Sequence, residues 1–359
     1  MTPRFPVFDG HNDTLTQIRN APEEDRRSFL ERSDRGHVDL PRAREGGLVG
    51  GFFAIFTANP GLERELRPVV GPGGAEVPGA WTVSLPPRLD RRMALGYTLS
   101  VMSDLFRIEQ EAQGALAVVR TARELRRCME DGTFAVILHI EGVEALDTGL
   151  EALDVLVQAG LRSLGPVWSR PNAFGHGVPF DFPRSPDTGP GLTTAGKRLV
   201  GACNRLGVMV DLSHLNEAGF WDVARLSQAP LVATHSCAWA LSPSPRNLTD
   251  RQIDVIGESG GLVGINFHRG FLRADGHSDA ETSLTEIVRH ARYVADRIGV
   301  EHVALGSDFD GAHMPSDLPD VTALPLLMDA LGNAGFGPDD LHLIGTGNWV
   351  RVLEETWGA

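Results

Sequence analysis

Short apolar runs recur along the whole chain, each bounded by Gly, Pro or polar residues and separated by stretches with a helical period. The runs at residues 5–8, 48–57, 134–140, 161–167, 208–212, 231–234, 262–267 and 302–305 predict strands. Between them, 91–113 places Met93, Tyr97, Val101 and Leu105 four apart, and 284–298 lines up Leu284, Ile287, Val288, Ala291, Ala295 and Ile298 on one helical face. Further helices are predicted at 123–131, 150–158, 193–206, 217–226, 249–258, 324–331 and 348–355. Gly132, Gly160 and Gly207 close three of them. Residues 21–45 read as a short helix and loop, and 59–87 and 168–190, rich in Gly and Pro, as irregular excursions.

Strand and helix therefore alternate through short connections, the mark of an α/β fold with parallel strands covered by helices. A doubly wound open sheet satisfies that pattern. A (β/α)8 TIM-type barrel also explains why polar residues recur just after the strands, because barrel sites lie at the C-terminal strand ends. The expectation is a single barrel over residues 1–359 with loop insertions near 59–87 and 168–190.

Composition narrows the chemistry. Apolar residues make up 42% of the chain, enough for one large core, while a net charge of −14 argues against nucleic acid as a partner. Lys197 is the only lysine, so a Schiff base or a carbamylated metal bridge has one candidate. Cys128, Cys203 and Cys237 are too widely spaced for a disulfide framework or a structural zinc site. With no apolar leader, no membrane-length apolar run and no apolar tail, a cytoplasmic protein is expected.

The polar strand ends carry His11 and Asp13, Glu141, His214, His235 and Asp308. A lone buried histidine is commonly a backbone partner, but imidazoles and carboxylates repeated at several strand ends make a dinuclear metal set. Such donors suit Zn²⁺, with Mn²⁺ or Fe²⁺ as alternatives, and Glu141 could bridge two ions whose shared water becomes hydroxide at neutral pH. His139 shares the face of Glu141 one layer deeper and is expected to support the ligands rather than join them. Arg246, in a Pro-braced loop, suits a bidentate grip on a carboxylate, or is a plain surface arginine. Asp308 suits proton transfer. Gly191-Leu-Thr-Thr-Ala-Gly196-Lys197-Arg198 imitates a phosphate loop but lacks the Ser or Thr for Mg²⁺, and helix capping at Thr193 explains it better. Neither a G-x-S-x-G elbow nor a dinucleotide G-x-G-x-x-G is present in the required context.

Taken together, Asp9-Gly-His-Asn-Asp13, Ile140-Glu-Gly142, Gly207-Val-Met-Val-Asp-Leu-Ser-His214, His235-Ser236, Arg246-Asn247 and Gly306-Ser-Asp-Phe-Asp-Gly311 resemble the renal, or membrane, dipeptidase family of zinc hydrolases. The motifs run in family order over nearly the whole chain. The resemblance implies that His11 and Asp13 hold one zinc, that His214 and His235 hold the other, and that Glu141 bridges them. It further implies that a metal-bridging hydroxide attacks the peptide bond of a dipeptide, including those with a C-terminal D-residue, while Arg246 binds the carboxylate and Asp308 handles the proton. Homodimers are frequent in the family, and no membrane partner is expected. One departure stands out: Trp168, in Gly165-Pro-Val-Trp168-Ser-Arg-Pro-Asn172, occupies a substrate-binding position where many relatives carry a histidine on the oxyanion. That change leaves open a related amidohydrolase acting on another small amide, such as an N-acyl amino acid.

Overall fold

The computed structural model describes residues 5–59, 66–72 and 74–358. Its strands in chain order are β1 (Val7–Asn12), β2 (Leu48–Phe56), β3 (Leu66–Val70), β4 (Glu76–Val83), β5 (Leu116–Val118), β6 (Phe134–Glu141), β7 (Leu161–Gly165), β8 (Phe180–Phe182), β9 (Met209–Val210), β10 (Val232–Ser236), β11 (Leu262–Ile265) and β12 (Val303–Leu305). Parallel pairing links β1-β2-β6-β7-β9 and, separately, β10-β11-β12. Two parallel bridges, Asp211 to Val232 and Asn12 to Phe309, join the arcs at both seams and curl them into an α/β barrel. The strands of this ring overlap the eight apolar runs that predict them, with β1, β6 and β10 running on into the polar residues that follow.

The alternation in β6 shows how the sequence dictates the layers. Ala135 and Ile137 join Phe8, Phe52, Met209, Val232, Leu262 and Ala304 around Trp349 in the barrel interior, whereas Val136, Leu138 and Ile140 belong to the larger core under the helices. His139 and Glu141 continue the interior face upward. Trp349 plugs the lumen, its indole Nε1 donating to the Leu305 carbonyl at 3.2 Å and its ring lying 4.9 Å from Phe52. Gly10 must be glycine because a Cβ there would collide with the Thr234 carbonyl and the Trp349 ring. The phosphate-loop mimic is helix Thr194–Leu206, capped by the Thr193 side chain at its start and by left-handed Gly207 at its end.

Some expectations need correction. The stretch 59–87 is not wholly irregular: β3 and β4 form an antiparallel pair, and β8, from the second excursion, adds to β4 through Trp81–Phe182. This sheet escapes a local reading because its strands are short, Gly- and Pro-interrupted, and paired across about a hundred residues of chain. Residues 60–65 and 73 of that stretch, like 1–4 and 359, lie outside the described residues. The short β5, which pairs with the start of β6, is also unforeseen. Residues 208–212 hold only the two-residue β9, beyond which Asp211 pairs with Val232 as a single parallel bridge. No described helix is long and apolar enough to cross a membrane.

Candidate metal centre

Each candidate ligand is delivered by a different part of the barrel's upper rim. His11 lies near the end of β1, Asp13 immediately precedes the helix Thr14–Asn20, Glu141 ends β6, His235 lies in β10, and His214 and Asp308 follow β9 and β12. They converge on Glu141 Oε1, which lies 2.8 Å from His214 Nε2, 3.5 Å from His235 Nε2 and 3.7 Å from His11 Nε2. His11 Nε2 is 3.6 Å from Asp13 Oδ2, as the i, i+2 spacing predicts. Asp308 completes a group with His11 and Asp13 whose ligand atoms lie within 4.8 Å of one another. Thus all five predicted ligands and Asp308 come together. Lys197 does not join them: it pairs with Asp222 at 3.3 Å on an outer helix.

The electrostatics of this cluster fit divalent cations. Burial opposes protonation of His11, but the charges of Glu141, Asp13 and Asp308 outweigh it and lift its pKa to about 10. Burial lifts Glu141 to about 8 and raises Asp13, while burial and the cationic charge of its neighbours push His235 well down. Among the described residues, both ring nitrogens of His11 and Asp13 Oδ1 are buried without a hydrogen-bond partner. Orphaned donors and acceptors of this kind, surrounding one carboxylate, are what metal ligands present when read without the ion.

A second layer holds these side chains still. Asp9, whose pKa burial raises to about 6, accepts from Ser307 N at 2.7 Å and Ser307 Oγ at 2.8 Å, tying β1 to the turn that carries Asp308. In that turn Asp308 and Asp310 both adopt the left-handed region, at φ 61° and 65°. Gly311 follows because a Cβ there would strike Asp13 Oδ2. Asp310 accepts from Thr14 Oγ1 at 2.7 Å and from Arg27 Nη2 at 3.0 Å, and Asn266 Nδ2 donates to Asp308 Oδ2 at 2.9 Å. His139 lies one layer deeper: Nδ1 meets Ser163 Oγ at 2.8 Å, Nε2 stands 3.8 Å from Asp211, and with His11 and Asp211 it forms another group whose ligand atoms lie within 4.8 Å of one another.

Above the cluster opens a cavity of about 560 Å³ whose lining includes Asp13, Glu141, His214, Asp308 and Trp168. Trp168 is packed between Phe56 and Phe180, at ring separations of 4.8 and 5.3 Å, and reaches to 5.9 Å from His214. Arg246 is buried rather than displayed on a surface loop. Its Nη1 donates to the Ser213 carbonyl and its Nη2 to the His235 carbonyl at 3.1 Å, while Phe271 lies 5.1 Å beneath the guanidinium. It makes no ion pair among the described residues, and its Nε has no partner there. Sequence reasoning missed His268, which lines the same cavity and whose signal was only its position after the strand at 262–267. It also missed the buried pair of Arg170 with Glu144, at 2.8 Å, which braces the loops behind Trp168.

Comparison with known proteins finds relatives over nearly the whole chain. The family model described as membrane dipeptidase, peptidase family M19, matches residues 1–358. A crystal structure of a dipeptidase AC, a metallopeptidase of family M19, superposes with a TM-score of 0.90 at 49% identity, covering 99% of this chain and 100% of its own. A metallopeptidase from Rhodobacter sphaeroides, liganded with a phosphinate mimic of the dipeptide L-Ala-D-Ala, gives 0.91 at 48% identity over 99% of this chain and 100% of its own. An uncharacterised Klebsiella pneumoniae protein encoded in the pqqA 5′ region is 49% identical over 244 residues, 68% of this chain and 90% of that protein.

Proposed function

This chain belongs to the membrane dipeptidase family of metallopeptidases, and on that premise we propose that it is a dinuclear zinc dipeptidase built as one barrel domain over residues 1–359. In this reading His11 and Asp13 hold one ion, His214 and His235 the other, and Glu141 bridges them. Ions so held supply Lewis acidity toward the scissile carbonyl and a water acidic enough to act as hydroxide near neutral pH.

The observation that carries the dipeptide reading is Arg246. Its guanidinium is buried with no ion pair among the described residues, only the more distant charges of Asp308, Glu141 and Asp211 offsetting it, and a substrate α-carboxylate reaching past the cavity lining is the anion that would complete it. Asp308, with Oδ2 engaged by Asn266, keeps Oδ1 to take the proton from the attacking water and deliver it to the leaving amine. Trp168 closes the cavity beside His214 with an apolar face. The R. sphaeroides relative's L-Ala-D-Ala mimic supports including substrates with a C-terminal D-residue. The indole at 168 favours a second reading, hydrolysis of another small amide such as an N-acyl amino acid.

Elemental analysis together with hydrolysis of L,L and L,D dipeptides, before and after chelation, tests these readings. About two zinc per chain and chelator-sensitive cleavage are expected for a dinuclear enzyme. Two zinc with only N-acyl amino acids cleaved would replace the dipeptide reading by the second, and a protein that binds no metal would end both.

A further inference from the structure

The cavity above the metal ligands has two chemically unlike sides. One is a continuous apolar wall of Trp168, Phe56, Phe180, Trp81, Val83 and Leu66, rising from His214 to the small antiparallel sheet β3-β4-β8 that overhangs the barrel mouth. The remainder is largely polar and carries the carboxylates of Asp13, Glu141 and Asp308, with that of Asp310 buried against Arg27; no Lys or Arg appears in the lining among the described residues, Arg246 being buried outside it.

The wall is held in place before substrate arrives. Arg170, wholly buried, sits 5.6 Å from the rings of both Phe56 and Trp168. Its guanidinium donates to the Thr57 carbonyl at 3.0 Å, to Asn59 Oδ1 at 2.5 Å and to Glu144 Oε1 at 2.9 Å, so the loops after β2, β6 and β7 share one clasp. At the top of the wall, Trp81 stacks on Phe182 of β8 with centroids 6.0 Å apart and planes within 14°. An aromatic surface fixed in this way gains apolar contact without the ordering cost a flexible loop would incur.

We propose that this wall is the specificity-determining surface of the enzyme, selecting dipeptides with a large apolar side chain and rejecting acidic ones, with Trp81 and Trp168 as its principal contacts. The inference rests on the dipeptidase reading and adds the substrate class. Burial of a leucine or phenylalanine side chain against the wall removes apolar area from water. A glutamate side chain in the same place would lose its hydration beside carbocyclic faces, with no Lys or Arg among the described residues of the lining to replace it.

The test is a panel of dipeptides, X-Ala and Ala-X with X as Ala, Leu, Phe or Glu and both configurations at the second residue, measured as kcat/KM on the zinc-loaded protein. At one of the two positions Leu and Phe should exceed Ala by about tenfold or more, with Glu below Ala. Trp81→Ala should collapse that ratio, lowering kcat/KM for the Phe substrate more than for Ala-Ala, and Trp81→Phe should restore it. Cleavage of the whole panel at equal efficiency, or a preference for Glu at both positions, would overturn the inference and leave the dipeptidase reading standing. Failure to cleave any member would remove the dipeptidase reading and this inference together. The wild-type panel decides the matter even where Trp81→Ala does not fold.

Discussion

The hydroxyl of Thr234 stands 2.7 Å from Nδ1 of the adjacent His235 and 2.7 Å from Oδ2 of Asp211. A hydroxyl has a single proton to give, and an ionised carboxylate only accepts. Thr234 therefore donates to Asp211 and accepts from Nδ1–H of His235. This fixes the imidazole tautomer with its Nε2 lone pair turned toward Glu141 and His214, which lie 3.5 and 3.3 Å away. Asp211 is itself anchored by Ser213 Oγ at 2.7 Å and Thr234 N at 2.9 Å, so the orientation of His235 is built from the seam between β9 and β10.

Replacing Thr234 by Val keeps the shape and removes the relay. Metal affinity should fall by about 10- to 100-fold, the usual cost of losing a partner behind a metal-binding histidine. Titration of the apo protein with zinc against a competing chelator measures this directly, and Thr234→Ser should recover most of the loss. Unchanged affinity in the Val variant would mean that His235 needs no orienting partner.

Arg246→Ala should raise KM for dipeptides by roughly 10- to 100-fold, the worth of a charge-assisted hydrogen-bond pair. The variant also strips the Ser213 and His235 carbonyls of their donor, a structural loss felt by every substrate. Comparison with the corresponding dipeptide amides, which lack the carboxylate, isolates the recognition component. An equal effect on acid and amide would refute carboxylate binding by Arg246.

These two residues also mark the limits of what the chain reveals before it folds. The strands of the ring were legible because a parallel barrel buries both strand faces and so writes each as an apolar run. The candidate ligands were legible because they fall just beyond those runs, at the end where barrels keep their chemistry. Asp211 and Thr234 stand beside ligands in sequence, yet their roles depend on the β9–β10 seam, whose register no local pattern encodes. Arg246 could be singled out as a guanidinium in a rigid loop, but its burial against Phe271 follows from tertiary packing alone. The overhanging sheet was hidden for the same reason: β8 joins β4 only after two distant loops meet.

Asp310 should prove a large structural contributor although it is not a ligand. Its carboxylate and the Arg27 guanidinium are both buried, at 0% and 5% side-chain exposure and 3.0 Å apart. Asp310→Ala would leave the arginine with neutral acceptors only, the Val38 carbonyl and Gln17 Oε1, remove the acceptor for Thr14 Oγ1 and place alanine at φ 65°, a region that disfavours it. A loss of about 3–5 kcal/mol is expected from breaking such a pair. Urea denaturation measures it, and a loss below about 1 kcal/mol would class the pair with weak surface bridges.

His290 predicts how stability responds to acid. Its Nδ1 accepts from the Ala238 amide at 3.0 Å and its Nε2–H donates to the Leu272 carbonyl at 3.0 Å, so the neutral ring is fully satisfied and a second proton would displace the Ala238 bond. Burial, only partly opposed by the Leu272 bond, pushes its pKa from 6.5 down to about 4. The unfolded chain then binds the proton more readily than the folded one between those values. The contribution is therefore complete above about pH 6.5 and is lost as the pH falls toward 4, at about 1.4 kcal/mol for each pH unit crossed and a few kcal/mol in all. His139 and His268, pushed down to about 3 and about 4 by burial, act in the same direction, so the total slope alone does not isolate His290. The informative quantity is the difference in unfolding free energy between wild type and His290→Gln, followed from pH 7.5 to 4.5. That difference should shrink as the pH falls, because only the wild type loses the favourable neutral ring; a constant difference would show that His290 does not titrate with unfolding.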